Sequence, residues 1–406
     1  MNKAEWAQRI FAIVFIVAWI GFAAVNLVVQ APTLETGIRR GWDFESRLEN
    51  IKQTANGSFI GHNIFQDING HKNLLIDRQM VSVGRNTFII RGAEGYLYYF
   101  NNYPYETYDF TTQALQLKEV QNLVEEKGGT LLFVNCPDLY IEGFSESEIP
   151  VSNMNPRSNA FLYSLQGQDV PSIDARKILA DSELLQSEYR YKTEPHWTTQ
   201  AGFEIYFALL DWMEEQGSTI GDNYTNRNNY SQTMYQNVFS GQMGKQVGIP
   251  YAGHEDFVLI KPDFDTSFTL SYHEKSLIPS SEGDFTSVLL EQKWMNQESP
   301  YQNNMYNTYL TSLFPFRQVS NNLNQDGPKI LLIGDSYMLP VASLLSTATS
   351  ELCLLWPYGL PEMDEDVETL LDFIEINDFD HVIVGMSPGS MHEGGFNFLE
   401  GIEISE

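Results

Sequence analysis

Three side chains have the types and local settings needed to move a proton and attack a carbonyl. In YRYKTEPHWTTQAG, Glu194 and His196 stand two apart, and Pro195 keeps Glu194 out of the helical region. Residues i and i+2 of an extended segment face the same side. The carboxylate is thus set to accept from Nδ1–H, leaving Nε2 to take a proton from a hydroxyl. Thr198 or Thr199 can cap a helix beginning near Gln200, pinning the imidazole at a rigid helix entry with Trp197 packed beside it. The hydroxyl is that of Ser336 in KILLIGDSYMLPVASLL, just past a buried apolar run and just before a helix. Open α/β sheets bind substrates at that end of their strands. Gly334 permits a tight turn, and Pro340 suits a first helical turn. The turn residues Asp335, Ser336 and Tyr337 sit where free N–H groups stabilise a developing oxyanion, Ser336 N–H first among them. Asn135, ending a strand, and Tyr358 with Gly359, following another, are candidates for a second donor. The alternative for Asp335-Ser336 is a plain helix N-cap. His62, His71, His254, His273, His381 and His392 lack a carboxylate in so constrained a frame, His392-Glu393 coming nearest.

The elements that must position these groups are legible as alternation. TLLFVNCP, KILLI, ELCLLW and HVIVG are short continuous apolar runs, as expected of strands buried on both faces of a parallel sheet. Helical stretches separate them: 111–127, with Ala114, Leu115, Val120, Leu123 and Val124 on one face, then 340–350 and 365–377. This rhythm predicts right-handed βαβ crossovers in a doubly wound, mainly parallel α/β sheet. Near residue 82, VSVGRNTFIIRGAEGYLYYF reads as strand and hairpin. Residues from about 217 to 300 are rich in Asn, Gln, Tyr, Ser and Gly, and read as an insertion of short strands and loops. Tyr96, Tyr98, Tyr99, Phe100, Tyr103, Tyr105 and Tyr108 form an aromatic cluster; it either stacks on sugar rings, with Tyr96, Tyr99 and Trp197 as binding candidates, or makes strand core and a capping loop.

Residues 10–29 carry no charge over about twenty positions, enough to cross a bilayer as helix. Lys3 and Arg9 precede them, which predicts a cytoplasmic N-terminus (1–9), an uncleaved anchor (10–30), a connector (31–80) and an extracytoplasmic domain (81–406). A cleaved signal peptide is the alternative. Against 24 Lys and Arg stand 53 Asp and Glu, a net charge of −29, and no Lys or Arg follows Lys329. Such a body repels nucleic-acid phosphates and leaves neutral sugars as plausible ligands. Cys136 and Cys353 read as two buried thiols, with a bridge between neighbouring strands as the alternative. The acidic run Asp364-Glu365-Asp366 reads as a solvated face, and no metal or cofactor motif is present.

The motifs together resemble the AlgX/AlgJ-like and DHHW-type proteins, SGNH-hydrolase-like members of cell-surface polysaccharide O-acetylation systems. The likeness runs over roughly residues 85–390: RGAEGYLYY, VNCPDLYIEGFSESEIP, YKTEPHWTTQAG, NVFSGQMGKQVGIPYAGHEDFVLIKPDFDT and ILLIGDSYMLP. It implies Ser336 as nucleophile, His196 as general base and Glu194 at the place of the family's triad aspartate, one methylene longer. It further implies an O-acetyltransferase that passes an acyl group to a polysaccharide or oligosaccharide, the donor coming from a membrane-bound O-acyltransferase. A carbohydrate esterase, or a catalytically silent glycan-binding subunit, are the alternatives within the same resemblance.

Overall fold

The computed structural model describes residues 3–40, 61–84, 86–101, 108–140, 154–273, 277–295, 300–310, 316–360 and 367–404. Two compact units divide the chain, Met1–Lys72 and Asn73–Glu406. In the first, a helix spans Lys3–Arg40, and its stretch Gln8–Val29 is long and apolar enough to cross a membrane. A second helix, His62–Leu75, leads into the larger unit.

That unit is a mixed α/β domain. A small antiparallel sheet of β1 (Met80–Ser82), β2 (Thr87–Arg91) and β3 (Leu97–Asn101) comes first. The central sheet holds β4 (Thr130–Asn135), β5 (Ser172–Asp174), β8 (Phe268–His273), β9 (Leu277–Gly283), β10 (Phe316–Asn321), β11 (Lys329–Gly334), β12 (Glu351–Leu355) and β13 (His381–Met386). Its order is β5-β4-β13-β11-β12-β10-β8-β9, with the five strands from β5 to β12 parallel and the last three added antiparallel. A separate ribbon pairs β6 (Tyr230–Phe239) with β7 (Glu255–Pro262).

The apolar runs fill both faces. Leu132, Val134, Ile330, Leu332, Leu352 and Leu354 enter one core with the helices Thr199–Glu215 and Leu339–Ala348. Leu131, Phe133, Leu331, Ile333, Cys353 and Leu355 enter the other with Thr111–Glu126 and Leu370–Ile376. Consecutive side chains alternate across the sheet, so a run buried on both sides must be apolar throughout. The helix Thr111–Glu126 buries Ala114, Leu117, Val120 and Val124; Leu117 takes the place expected of Leu115, because its i+3 spacing follows the stripe more closely. The chain leaves β11 for β12 on one side, then crosses back over β11 to β13 on the other. This reversal puts the crevice of a doubly wound sheet at the carboxyl end of β11.

The segment at about 217–300 does more than decorate the domain, since β8 and β9 extend the central sheet. Of the β8 side chains described, Phe268 and Leu270 are buried and Thr269, Ser271 and Tyr272 are half-buried, which gives a polar-looking sequence despite its place in the sheet. Tyr103, Tyr105 and the run Asp364-Glu365-Asp366 lie outside the described residues.

Cys136 and Cys353 are buried in the two different cores, with the sheet between them, and both are free thiols. Burial pushes both thiols well above their ordinary value. We expect neither to react with Ellman's reagent in the native protein, and both to react in guanidinium chloride without reductant. Fewer than two thiols on denaturation would contradict this arrangement.

Candidate active site

The side chains at the end of β11 are held by obligatory backbone chemistry. Asp335 Oδ1 accepts from Tyr337 N–H at 3.0 Å, capping the 3-10 turn Ser336–Met338 that runs into the helix Leu339–Ala348. Its Oδ2 accepts from Ser387 N–H at 2.8 Å and Ser387 Oγ–H at 2.7 Å, tying this turn to the end of β13. Pro340 stands in the first turn of the helix, where it costs no hydrogen bond. Gly334 is needed for close approach, since a Cβ there would meet the Met338 side chain at 2.9 Å.

The segment 189–198 approaches from the other side. Thr198 caps the helix Thr199–Glu215 by accepting from Ala201 N–H at 3.1 Å. The backbone before it runs through successive bends over residues 192–196 rather than the extended segment expected, and these bends bring the Glu194 and His196 side chains together. Glu194 Oε1 lies 2.7 Å from His196 Nδ1, and His196 Nε2 lies 2.7 Å from Ser336 Oγ. An ionised carboxylate only accepts, which puts the proton on Nδ1 and leaves Nε2 to accept from the serine hydroxyl. Glu194 is buried, while Ser336 is partly open to solvent.

Around this relay lie groups that local sequence patterns do not reveal. Glu194 Oε2 accepts from Gln242 N–H at 2.6 Å, at the start of the short helix Gln242–Val247. Gly241 makes that bond possible, because a Cβ there would meet Glu194 Cβ at 2.4 Å and its backbone at 2.5 Å. Lys245 lies close enough to feel the Glu194 charge, and its Nζ donates to Asn303 O. Burial lowers the Lys245 ammonium from its usual value, and Glu194 partly offsets this. The Tyr306 ring stacks on the imidazole, centroids 4.1 Å apart and planes 12° apart. Its hydroxyl donates to Ser336 O at 3.1 Å and Tyr337 O at 3.2 Å. Glycines 241 and 244 in SGQMGKQVG were the available signal for the first contact; nothing near Tyr306 marks it in the sequence.

Several sequence candidates take other places. Trp197 is 2% exposed, its Nε1 donating to Tyr337 O at 2.9 Å, so it braces the serine turn and offers no face to a substrate. Tyr96 is buried beneath the Arg190 guanidinium, and burial pushes its hydroxyl up to about 12. Tyr98 is buried likewise, so these rings form the core of the small sheet. Tyr99 is half-buried and donates to Gln246 Oε1 at 3.4 Å. Asp335 and Tyr337 are not oxyanion donors: the Asp335 N–H donates to Gly385 O, the Tyr337 N–H to Asp335, and the Tyr337 hydroxyl to Pro195 O. Among the described residues no acceptor takes the Ser336 N–H. Asn135 is fully buried and gives its amide to Asp174 Oδ1 at 3.0 Å. Tyr358 is exposed and packs against Trp356 and His392.

Comparison with known proteins places this geometry on a shared fold. Neither a family model nor a curated protein matches the chain. Among solved structures, a DHHW family protein from Eubacterium siraeum aligns over 80% of this chain and 98% of its own, at a TM-score of 0.57 and 15% identity. Bacillus cereus PatB1 aligns over 77% of this chain and 100% of its own, at 0.60 and 18%; a second PatB1 structure carries a sulfonyl adduct, aligning at 0.58 and 16% over 79% and 99%. The chain has the α/β fold of these two proteins, and the fold-level resemblance stated from the motifs holds.

Glu255 offers a test of how the acid-bearing segment is held. Its carboxylate accepts from Lys192 N–H at 2.6 Å, Thr193 N–H at 2.9 Å and the Thr193 hydroxyl, immediately before Glu194. Burial raises this carboxyl to about 7; the hydrogen bonds oppose the rise and the neighbouring Glu194 charge adds to it. Between its ordinary value and about 7 the folded state holds the proton more firmly than the unfolded chain. The group therefore favours folding below that window and costs stability as pH rises through 7. Glu255→Gln keeps an acceptor and removes the charge. Thermal melts should show the variant gaining on the wild type between pH 5 and pH 8, by a few degrees; a gap that does not change with pH would contradict it.

Proposed function

We propose that this chain is an SGNH-type serine O-acyltransferase that passes an acyl group, most simply acetyl, to a hydroxyl of a cell-surface or secreted polysaccharide. The observation that carries this reading is the unbroken relay of two 2.7 Å contacts from Glu194 through His196 to Ser336. In this mechanism Ser336 Oγ attacks the acyl carbonyl carbon while its proton passes to His196 Nε2. The charge on the carbonyl oxygen is met first by the Ser336 N–H. Collapse of the tetrahedral intermediate expels the donor's oxygen or sulfur, which takes the proton from His196 and leaves an acyl-serine. A glycan hydroxyl then repeats the sequence, with His196 removing its proton, and the ester leaves on the sugar. Glu194 keeps the imidazole in the tautomer this requires and balances its positive charge. The extra methylene of Glu over Asp is accommodated by Gly241, whose missing side chain lets Gln242 N–H reach the far carboxylate oxygen. With water as acceptor the same steps make a carbohydrate esterase.

The location proposed follows from the N-terminal helix. Lys3 and Arg9 ahead of the apolar stretch favour a cytoplasmic N-terminus, leaving the α/β domain outside. A membrane-bound O-acyltransferase delivering the acyl group to that surface fits the arrangement.

The test is ester cleavage by the full-length protein in detergent. With an aryl acetate, Ser336→Ala should lose at least about 10³-fold in rate, and Glu194→Gln a comparable factor through the wrong imidazole tautomer. An arylsulfonyl fluoride should add one sulfonyl group to the wild type, located by peptide mass mapping at Ser336, and none to Ser336→Ala. Acetylated oligosaccharide among the products favours the transferase; free acetate alone favours the esterase. Full cleavage by Ser336→Ala would sink both.

A further inference from the structure

We propose that Trp356, Tyr358 and His392 form a subsite for a neutral sugar ring of the acceptor, beside Ser336. The inference rests on the reading of Ser336 as acyl carrier and adds to it where the sugar lies. It begins with strand order. β11 lies between β12 and β13, with Ile333 beside Leu355 and Gly334 beside Gly385. Trp356 and Tyr358 follow β12 directly, whereas Ser390 and His392 follow β13. Ser387, which opens the loop after β13, bonds the Asp335 carboxylate at the turn into Ser336, so a contact between the two loops spans the strands on either side of that turn.

That contact exists. Tyr358 Oη lies 3.4 Å from Ser390 Oγ, and the Tyr358 and His392 rings are 6.5 Å apart with planes 27° apart. Tyr358 also meets Trp356, with centroids 6.2 Å apart and planes 18° apart. Three rings with nearly parallel planes thus follow one another along the carboxyl edge of the sheet. Their loop is held in place, because Phe398 N–H donates to Pro357 O at 3.2 Å. Exposure separates them from the rings on the histidine side. Trp197 and Tyr306 are 2% and 1% exposed and pack at the relay, while Tyr358 is 49% exposed, His392 is open and Trp356 is half-buried.

Exposed rings on a preorganised edge suit a ligand with an apolar face and polar rim, and the rim partners are present in the Tyr358 and Ser390 hydroxyls and the His392 ring nitrogens. Charge narrows the choice. No Lys or Arg occurs anywhere after Lys329, so neither loop supplies a cation, and Glu393 adjoins His392. The Arg317 guanidinium, 5.8 Å from the Trp356 ring centroid, is itself buried. The Arg157 guanidinium reaches the loop after β13 but donates to Pro388 O at 3.1 Å and lies over the Tyr108 ring, while the exposed Glu393 opposes an anion, so a neutral hexose or N-acetylhexosamine suits this patch better than a uronate or phosphorylated sugar.

The experiment reads how the acyl-serine divides between sugar and water, a ratio independent of how fast it forms. Full-length protein in detergent is acylated with an aryl acetate in the presence of a β-1,4-linked N-acetylglucosamine tetramer, a glucose tetramer or a uronic acid tetramer. For at least one neutral tetramer, Tyr358→Ala should lower the transfer-to-hydrolysis ratio about tenfold, and Tyr358→Trp, which keeps a stacking ring, should restore most of it. In a Ser336→Ala background, titration of the same tetramers followed by ligand NMR should show neutral sugars bound and weakened about tenfold by Tyr358→Ala. An unchanged ratio and unchanged binding in Tyr358→Ala, or a uronic acid tetramer preferred to the neutral ones, overturns the subsite. Failure of the Ser336 reading looks different: no aryl acetate is cleaved by the wild type, while the binding arm still reports on Tyr358.

Discussion

A buried carboxylate is the constraint around which this site is organised. Glu194 is removed from water, and a charge in that position is tolerated only when its lone pairs are filled. One oxygen is filled by His196 Nδ1–H and the other by Gln242 N–H. The second bond brings the Gly-rich segment hard against the Glu194 backbone, which a side chain at 241 would prevent. Thr193 then bonds Gly241 N–H and receives Gly244 N–H on its carbonyl, so that two chain segments about fifty residues apart in sequence become one unit. The small β1–β3 sheet closes on the same unit through Leu97 N–H to Lys192 O and through Met243, Val247 and Tyr251 in its core.

The sheet contributes the other half of the geometry by means of a reversal in winding. Because β12 and β13 flank β11, both neighbours deliver their loops to the serine turn. The Asp335 carboxylate exploits this by holding its own turn with one oxygen and Ser387 with the other. Rigid elements thus enter from three directions: the helix Thr199–Glu215 behind the histidine, the helix Leu339–Ala348 behind the serine, and the ends of β13 and β12 beside them. Tyr306 closes the set, its ring on the imidazole and its hydroxyl on the backbone of the serine turn. Two aromatic groups result, one buried and structural, the other open at the sheet edge.

Much of this was readable before any coordinates. Four apolar runs, each too uniform for a one-faced strand, announced the parallel strands β4, β11, β12 and β13, because burial on both faces leaves no room for polar alternation. The spacing of Glu194 and His196 around Pro195, and the strand–Ser336–helix junction, were local facts, since backbone restriction at proline and capping at a helix start act over a few residues. The apolar segment ahead of residue 30 needed only a count.

Other features depended on residues that no local pattern connects. Leu115 and Leu117 lie two positions apart on one helix, only Leu117 is buried in the core, and the hydrophobic stripe alone did not choose between them. That β8 and β9 belong to the central sheet was hidden by polar residues such as Thr269 and Ser271 along β8. Tyr96 and Trp197 had the chemistry of sugar platforms, but burial made one a core ring and the other a brace. Asp335 and Tyr337 had donors that neighbouring acceptors consumed. The sequence by itself determined which side chains were chemically capable and which backbone they stood on, since propensity, capping and alternation are short-range. Whether a capable group faced a partner, a core or solvent was decided only by tertiary structure, because that depends on what residues far along the chain bring to within hydrogen-bond reach.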